Sequence, residues 1–182
     1  MKTNFIKISI FLILSSIMIL NLSDNVLAET AKFEPRQPTQ TQLTKLTTEC
    51  SSIKKQLTKV HSTDALKRVK LGQIYESISK DLMARFTARA ILNHFSVTNL
   101  VAHTSKFDEN LNYFKDNYRI YEQELDKLQK MDCEIKENSN EFYNQLEKVR
   151  YQRRELNYNV IKLHEITESY KKSFDSVRKE VK

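Results

Sequence analysis

Two cysteines, four histidines and two basic runs are the parts of this 182-residue chain whose chemistry goes beyond packing. Cys50 and Cys133 can pair as a disulfide in an oxidising compartment. His61, His94, His103 and His164 offer ring nitrogens to a metal, yet none has a second histidine or a cysteine at helical spacing. The sequence contains no Glu-x-x-His, the inward motif of di-iron helical bundles. His94 and His103 bracket one turn, but two ligands fall short of the four that a structural site uses. No His-Glu-x-x-His or Gly-x-Ser-x-Gly occurs, and a single glycine excludes a phosphate-cradling glycine loop. The chain is therefore expected to be no enzyme and to need no cofactor and no metal.

Lys67, Arg68 and Lys70 form one basic run, and Lys148, Arg150, Arg153 and Arg154 form the other. A nucleic-acid track would want such side chains on one face at phosphate spacing. Glu147 and Glu155 interrupt the second run, so nucleic acid is not the expected partner. Tyr113, Phe114, Tyr118 and Tyr121 could form an aromatic platform. Their spacing instead places all but Tyr113 on a packing seam, where large rings bury.

These side chains must be carried by helices. From Phe142, steps of four and three meet Leu146, Val149, Arg153, Leu156, Val160, Leu163, Thr167, Tyr170, Phe174, Val177 and Val181, a repeat uninterrupted by Gly or Pro. Such a heptad pattern predicts one long helix packed on partners. Leu43, Leu46, Cys50, Ile53, Leu57 and Val60 mark a first helix beginning near Thr41. A looser stripe follows at Leu66, Val69, Ile74, Ile78, Leu82, Phe86 and Ala90, with Gly72 inside it. That glycine costs about 1 kcal/mol against alanine, which close helix packing would explain. Asn93–Asn99 reads as a turn. A further seam runs from Leu100 through Thr104, Phe107, Leu111, Phe114, Tyr118, Tyr121 and Leu125 to Leu128, and Thr98 and Ser139 are the expected helix caps. Arg153 is the one charge on the last seam. Level counting from turns near 95 and 134 places it beside Glu76 and Tyr118, for an ion pair and a ring-face contact.

The N-terminus has the form of an export signal: Lys2 and Lys7, an uncharged run from Ile8 to Leu22, and compact residues Val26-Leu27-Ala28. Cleavage after Ala28 leaves a chain with 28 basic and 22 acidic side chains, a net charge of +6. An exported protein of that charge would be drawn to anionic cell-wall polymers, lipid headgroups or nucleic acid, but charges of both signs are interleaved along the helices, which favours an ordinary solvated surface that is basic overall. The competing reading keeps residues 5–22 as a single-pass anchor, with the domain as a tethered spacer and the membrane as its contact. Residues 29–40, with Pro35 and Pro38, form a flexible leader before a helical domain at 41–182.

Export bears on the cysteines, and the cysteines bear on the fold. If the first helix turns back at His61–Asp64, a four-helix bundle results, with Cys50 and Cys133 about 25–30 Å apart. If residues 41–93 form one helix, Cys133 comes level with about residue 58, and an extended connection closes the remainder. The expected fold is therefore all-α: an elongated antiparallel bundle of three long helices, four if broken near residue 62, pinned by a Cys50–Cys133 disulfide.

Thr48-Glu49-Cys50-Ser51-Ser52-Ile53, Asp132-Cys133, Glu141-Phe142-Tyr143-Asn144-Gln145-Leu146 and Val149-Arg150-Tyr151-Gln152-Arg153-Arg154 resemble a group of small exported helical proteins of candidate-phylum bacteria with reduced genomes. The resemblance covers most of the mature chain. It implies an exported helical domain with two cysteines and brings no activity with it. The expected role is a structural or binding module at the cell envelope, whose partner is an anionic envelope component or another protein. The rival binding role is a periplasmic-type chaperone with an open apolar cavity.

Overall fold

A computed structural model describes residues 33–180. The signal expected at 1–28, the first four residues of the leader and the last seam position, Val181, lie outside the described residues. From Glu34 onward the chain forms one compact unit, and the described residues contain helices and no strand. The first arm is a continuous helical rod. It comprises α1 (Gln40–Ser77), a π-helical stretch (Ile78–Ala84) and α2 (Arg85–Leu92). Then follow α3 (Thr98–Lys130), a 3₁₀ turn (Lys136–Asn138) and α4 (Ser139–Glu180). The first arm, α3 and α4 are the three long elements, and α3 and α4 pair most extensively while α1 packs on both.

The start of α1 is specified locally. Thr39 caps it through its hydroxyl, which accepts from the Gln42 backbone N–H, while the Gln42 side chain accepts from the Thr39 N–H. This reciprocal box satisfies two amides that would otherwise lack partners. No break occurs at His61–Asp64. The hydroxyls of Ser62 and Thr63 donate to carbonyls four residues back, so the polar residues continue the helix.

The turn after Leu92 is a Schellman motif. Phe95 N–H donates to Ala90 O and His94 N–H to Ile91 O, and His94 takes the left-handed conformation at φ 61°. That position favours glycine, although histidine is among the residues that tolerate it. Thr98 is the first residue of α3 and caps nothing; the cap position is Val97. The Ser139 hydroxyl likewise donates to the Lys136 carbonyl of the preceding 3₁₀ turn.

The seams of α3 and α4 are inside as expected. Phe107, Leu111, Phe114, Tyr121, Leu125 and Leu128 meet Phe142, Leu146, Val149, Leu156, Leu163, Tyr170 and Val177 in one continuous core. The looser stripe of the first arm is inside only in part: Ala90 is buried and Ile78 and Phe86 pack on the core. Leu66 is 74% exposed, and Val69, Ile74 and Leu82 face outward with it. Beside Ala90, the inward face carries Asp64, Tyr75, Ser79, Met83 and Thr87, a set with three polar members that an apolar pattern passes over. Tyr75, Ser79, Met83 and Thr87 follow one another at intervals of four. A regular α-helix would carry that row steadily around its axis, and the wider π turn takes up the drift. Tyr170 secures the stretch: its hydroxyl donates to Met83 O at 3.1 Å and lies 3.2 Å from the Thr87 hydroxyl.

Cys50 and Cys133 are disulfide-bonded, with Cα atoms 5.5 Å apart, and both are buried. Met131 is extended, so Cys133 is reached by a non-helical step, and Lys54 Nζ donates to Met131 O beside the bond. The disulfide joins the α3–α4 connection to α1 across 83 positions.

Gly72 faces Phe114, but an added Cβ would stand 3.7 Å from the ring, at ordinary contact distance. Close packing therefore does not require this glycine. Gly72→Ala is expected to raise stability by up to about 1 kcal/mol, and His94→Gly by about 1 kcal/mol through release of left-handed strain. Denaturant unfolding of each variant and of the pair checks both values and their additivity. Reducing the disulfide should cost about 2–4.5 kcal/mol, read as a lower denaturation midpoint for Cys50→Ser/Cys133→Ser; an unchanged midpoint would contradict the pinned connection.

Candidate functional site

Arg153 does not meet Glu76. Its Nε donates to Asp64 Oδ2 at 2.7 Å and its Nη2 to Asp64 Oδ1 at 3.1 Å, a two-pronged pair between α4 and α1. The Tyr121 hydroxyl of α3 donates to Asp64 Oδ2 at 3.0 Å, so one carboxylate joins all three long elements. Glu76 pairs with Lys115 of α3 on the surface. The expected ring contact with Tyr118 is also absent: among the described residues, cation–ring contacts are made by Arg154 over Tyr151 and Lys162 over Tyr158.

The error is one of register, and its two parts add. Arg153 lies level with Tyr121 rather than residue 115, because the connection through the 3₁₀ turn places the effective reversal later than 134. Tyr121 in turn lies level with Asp64 rather than residue 69. The π stretch contributes here, since more residues per turn mean less axial advance per residue.

The Asp64 side chain is 6% exposed, whereas that of Arg153 is 52% exposed. Burial by itself would raise the Asp64 pKa. The hydrogen bonds from Arg153 and Tyr121, with the charges of Arg153 and Arg68, outweigh burial and hold the carboxyl below its ordinary value. Burial, reinforced by the Asp64 charge, pushes the Tyr121 hydroxyl far above the usual tyrosine range, so it remains a donor. Nearby, burial also works to raise Glu124, but the Gln145 amide and the Lys148 ammonium keep it charged and lower its pKa.

Two concavities flank this pair. The first is a groove of about 500 Å³ between α1 and α4, floored by Tyr121 and Leu125 of α3. Its walls are Leu46, Ile53, Leu57 and Val60 on one side and Leu146 and Val149 on the other, which is why the first-helix seam is only half covered. The second is a more open hollow of about 670 Å³ lined by Arg68, Arg150, Arg153, Arg154 and, beyond them, Tyr158 and Ile161. Arg150 and Arg153 border both spaces.

Within the hollow, Arg153 is paired with Asp64 and Arg150 with Glu147. Arg68 and Arg154 have no carboxylate at ion-pair distance among the described residues, and Arg68 Nε is buried without an acceptor. Four guanidiniums thus converge with two paired carboxylates, a local excess of two positive charges. The sequence held both basic runs, but it could not show that Arg68 of α1 comes beside the α4 run.

The remaining candidates do not converge. His61 meets Glu122 at 2.7 Å, His94 forms the turn, and no group of three or more His, Cys, Asp or Glu side chains gathers at metal-ligand distance among the described residues. None of the described helices is long and apolar enough to cross a membrane.

Loss of the Asp64 charge should be felt in stability. Asp64→Asn is expected to cost about 2 kcal/mol. A double-mutant cycle with Arg153→Gln should give coupling of about 1 kcal/mol or more, while a cycle of Arg153→Gln with Glu76→Gln gives none. Because the folded-state pKa of Asp64 is lowered, its contribution is complete above the ordinary carboxylate pKa of about 4 and is lost as the pH falls through the folded value. Urea titrations below pH 5 should therefore show a smaller acid loss for Asp64→Asn than for the wild type.

No family model matches this chain, and the searches among curated proteins and among solved structures find nothing similar to it.

Proposed function

We propose that this protein is an exported, non-catalytic helical binding module of the cell envelope, and that it holds anionic groups on the arginine hollow. The observation that carries the reading is the convergence of Arg68, Arg150, Arg153 and Arg154 on one space with only two paired carboxylates among them. Guanidinium is the side chain suited to this task. It is always charged, weakly hydrated, and forks onto carboxylate or phosphate oxygens with two parallel donors.

The compartment has its own support. A disulfide-bonded pair fits an oxidising environment, and the charge, apolar run and compact residues before Glu29 fit a cleaved signal. The export reading expects the mature chain to begin at Glu29 and to carry the net positive charge that favours anionic polymers and headgroups.

The full chain, produced with its own N-terminus in an exporting host, supplies the test. Its N-terminus should read from Glu29; recovery of Met1 in a carbonate-resistant membrane fraction would instead support the tethered spacer. The oxidised protein should co-sediment with washed envelope fragments at low ionic strength and release as salt rises. Arg68→Gln/Arg150→Gln/Arg154→Gln should lower that binding at least tenfold with unaltered helicity. Equal binding by this variant would contradict the role given to the hollow.

A further inference from the structure

We infer that the groove and the hollow act together as a seat for one anionic amphiphile, a single lipid molecule with its acyl chain in the groove and its phosphate on the arginines. The inference deepens the envelope-binding reading and rests on it for the anionic end.

The two spaces adjoin, since Arg150 and Arg153 border both. Along this path the surface changes character. The groove is walled chiefly by Leu46, Ile53, Leu57, Leu146 and Val149, with Gln42, Gln56 and Tyr143 among them, and Lys45 and Glu49 add one charge of each sign. The adjoining hollow holds four guanidiniums with an excess of two positive charges. A largely apolar groove beside a cationic hollow matches a molecule that is apolar along its length and anionic at one terminus. At about 500 Å³ the groove lies within the range of small-molecule sites, and few polar groups at one end are what fixes orientation in such sites.

The walls also select against a peptide. α1 and α4 satisfy their own backbone groups, so the groove offers no ladder of free N–H and C=O. An extended peptide buried there would leave its own amides unpaired. An acyl chain has no such groups, and each methylene it buries leaves water favourably. The phosphate end would find Arg68 and Arg154, the two guanidiniums of the hollow without an ion-pair partner among the described residues.

The test uses the oxidised full-length exported protein and palmitoyl-lysophosphatidylglycerol below its micellar concentration, read by calorimetry and native mass spectrometry. A one-to-one complex is expected, at least tenfold tighter than with palmitoyl-lysophosphatidylcholine or with glycerol 3-phosphate. Arg68→Gln/Arg154→Gln should weaken it at least tenfold. A nitroxide on the acyl chain should broaden methyl signals of Ile53, Leu57 and Leu146 and spare those of Leu163 and Val177, a readout that needs no groove variant to fold. If glycerol 3-phosphate binds as tightly as the lysolipid, the anion site stands and the acyl groove is refuted. If the zwitterionic lipid binds equally, or broadening falls outside the groove, the two-part seat is refuted. Binding to phosphatidylglycerol vesicles without a complex with single lipids would assign the charge to a bilayer surface and overturn the seat. Failure of every anionic probe, with envelope fragments also unbound, would remove the function on which it rests.

Discussion

A carboxylate cannot be buried without cationic or donor partners, and Asp64 meets that requirement with one partner from each of the other two long elements. Tyr121 on α3 and Arg153 on α4 reach it within hydrogen-bond distance only at one axial position of α1. The heptad seams would tolerate a shift by one repeat, because one Leu or Phe layer fits nearly as well as the next. The Asp64 cluster would not, since a shifted bundle would leave a buried negative charge unpaired. Removal of a single partner from such a pair is strongly destabilising even where the pair itself adds little net stability.

The same contact shapes the surface. In binding Asp64, Arg153 is drawn across the α1–α4 junction with its head half exposed. It therefore stands at the border of the apolar groove and of the arginine hollow. Arg68 lies one helical turn beyond Asp64 on α1, which is how it joins the basic run of α4. The groove persists because the seam of α1 between Ile53 and Val60 is only half covered. The disulfide holds the α3–α4 connection against α1 near Cys50, and the π stretch secured by Tyr170 holds the first arm toward the opposite end. Between those two attachments, the walls of the groove are kept at a set separation.

Much of the architecture could be read from spacing. The seams of α3 and α4 bury their large residues along their described lengths, the turn after Leu92 falls inside the expected segment, and the cysteines pair across the connection that one long first helix permits. The misplaced inward face of the first arm has a cause of its own. Apolar spacing marks the stripe from Leu66 to Leu82, whereas the inward face of the first arm contains Asp64, Ser79 and Thr87, each satisfied by a partner distant in sequence. Asp64 itself stood in a run of four polar residues, where it resembled a break. Nothing local distinguishes an aspartate exposed at a helix start from one buried against an arginine 89 positions away.

The sequence alone determined the helical class, the lengths of the seams, the oxidisable pair and the positive balance of charge. These follow from periodicity and composition, which act between near neighbours or sum over the whole chain. Tertiary structure decided the register, and with it the partner of Arg153, the outward turn of Leu66 and Val69, and the meeting of Arg68 with Arg150 and Arg154. Register depends on how far each connection travels before the chain reverses and on how much rise a π turn withholds. An error of a few residues at each reversal accumulates along a long helix, until a charge is matched to the wrong partner.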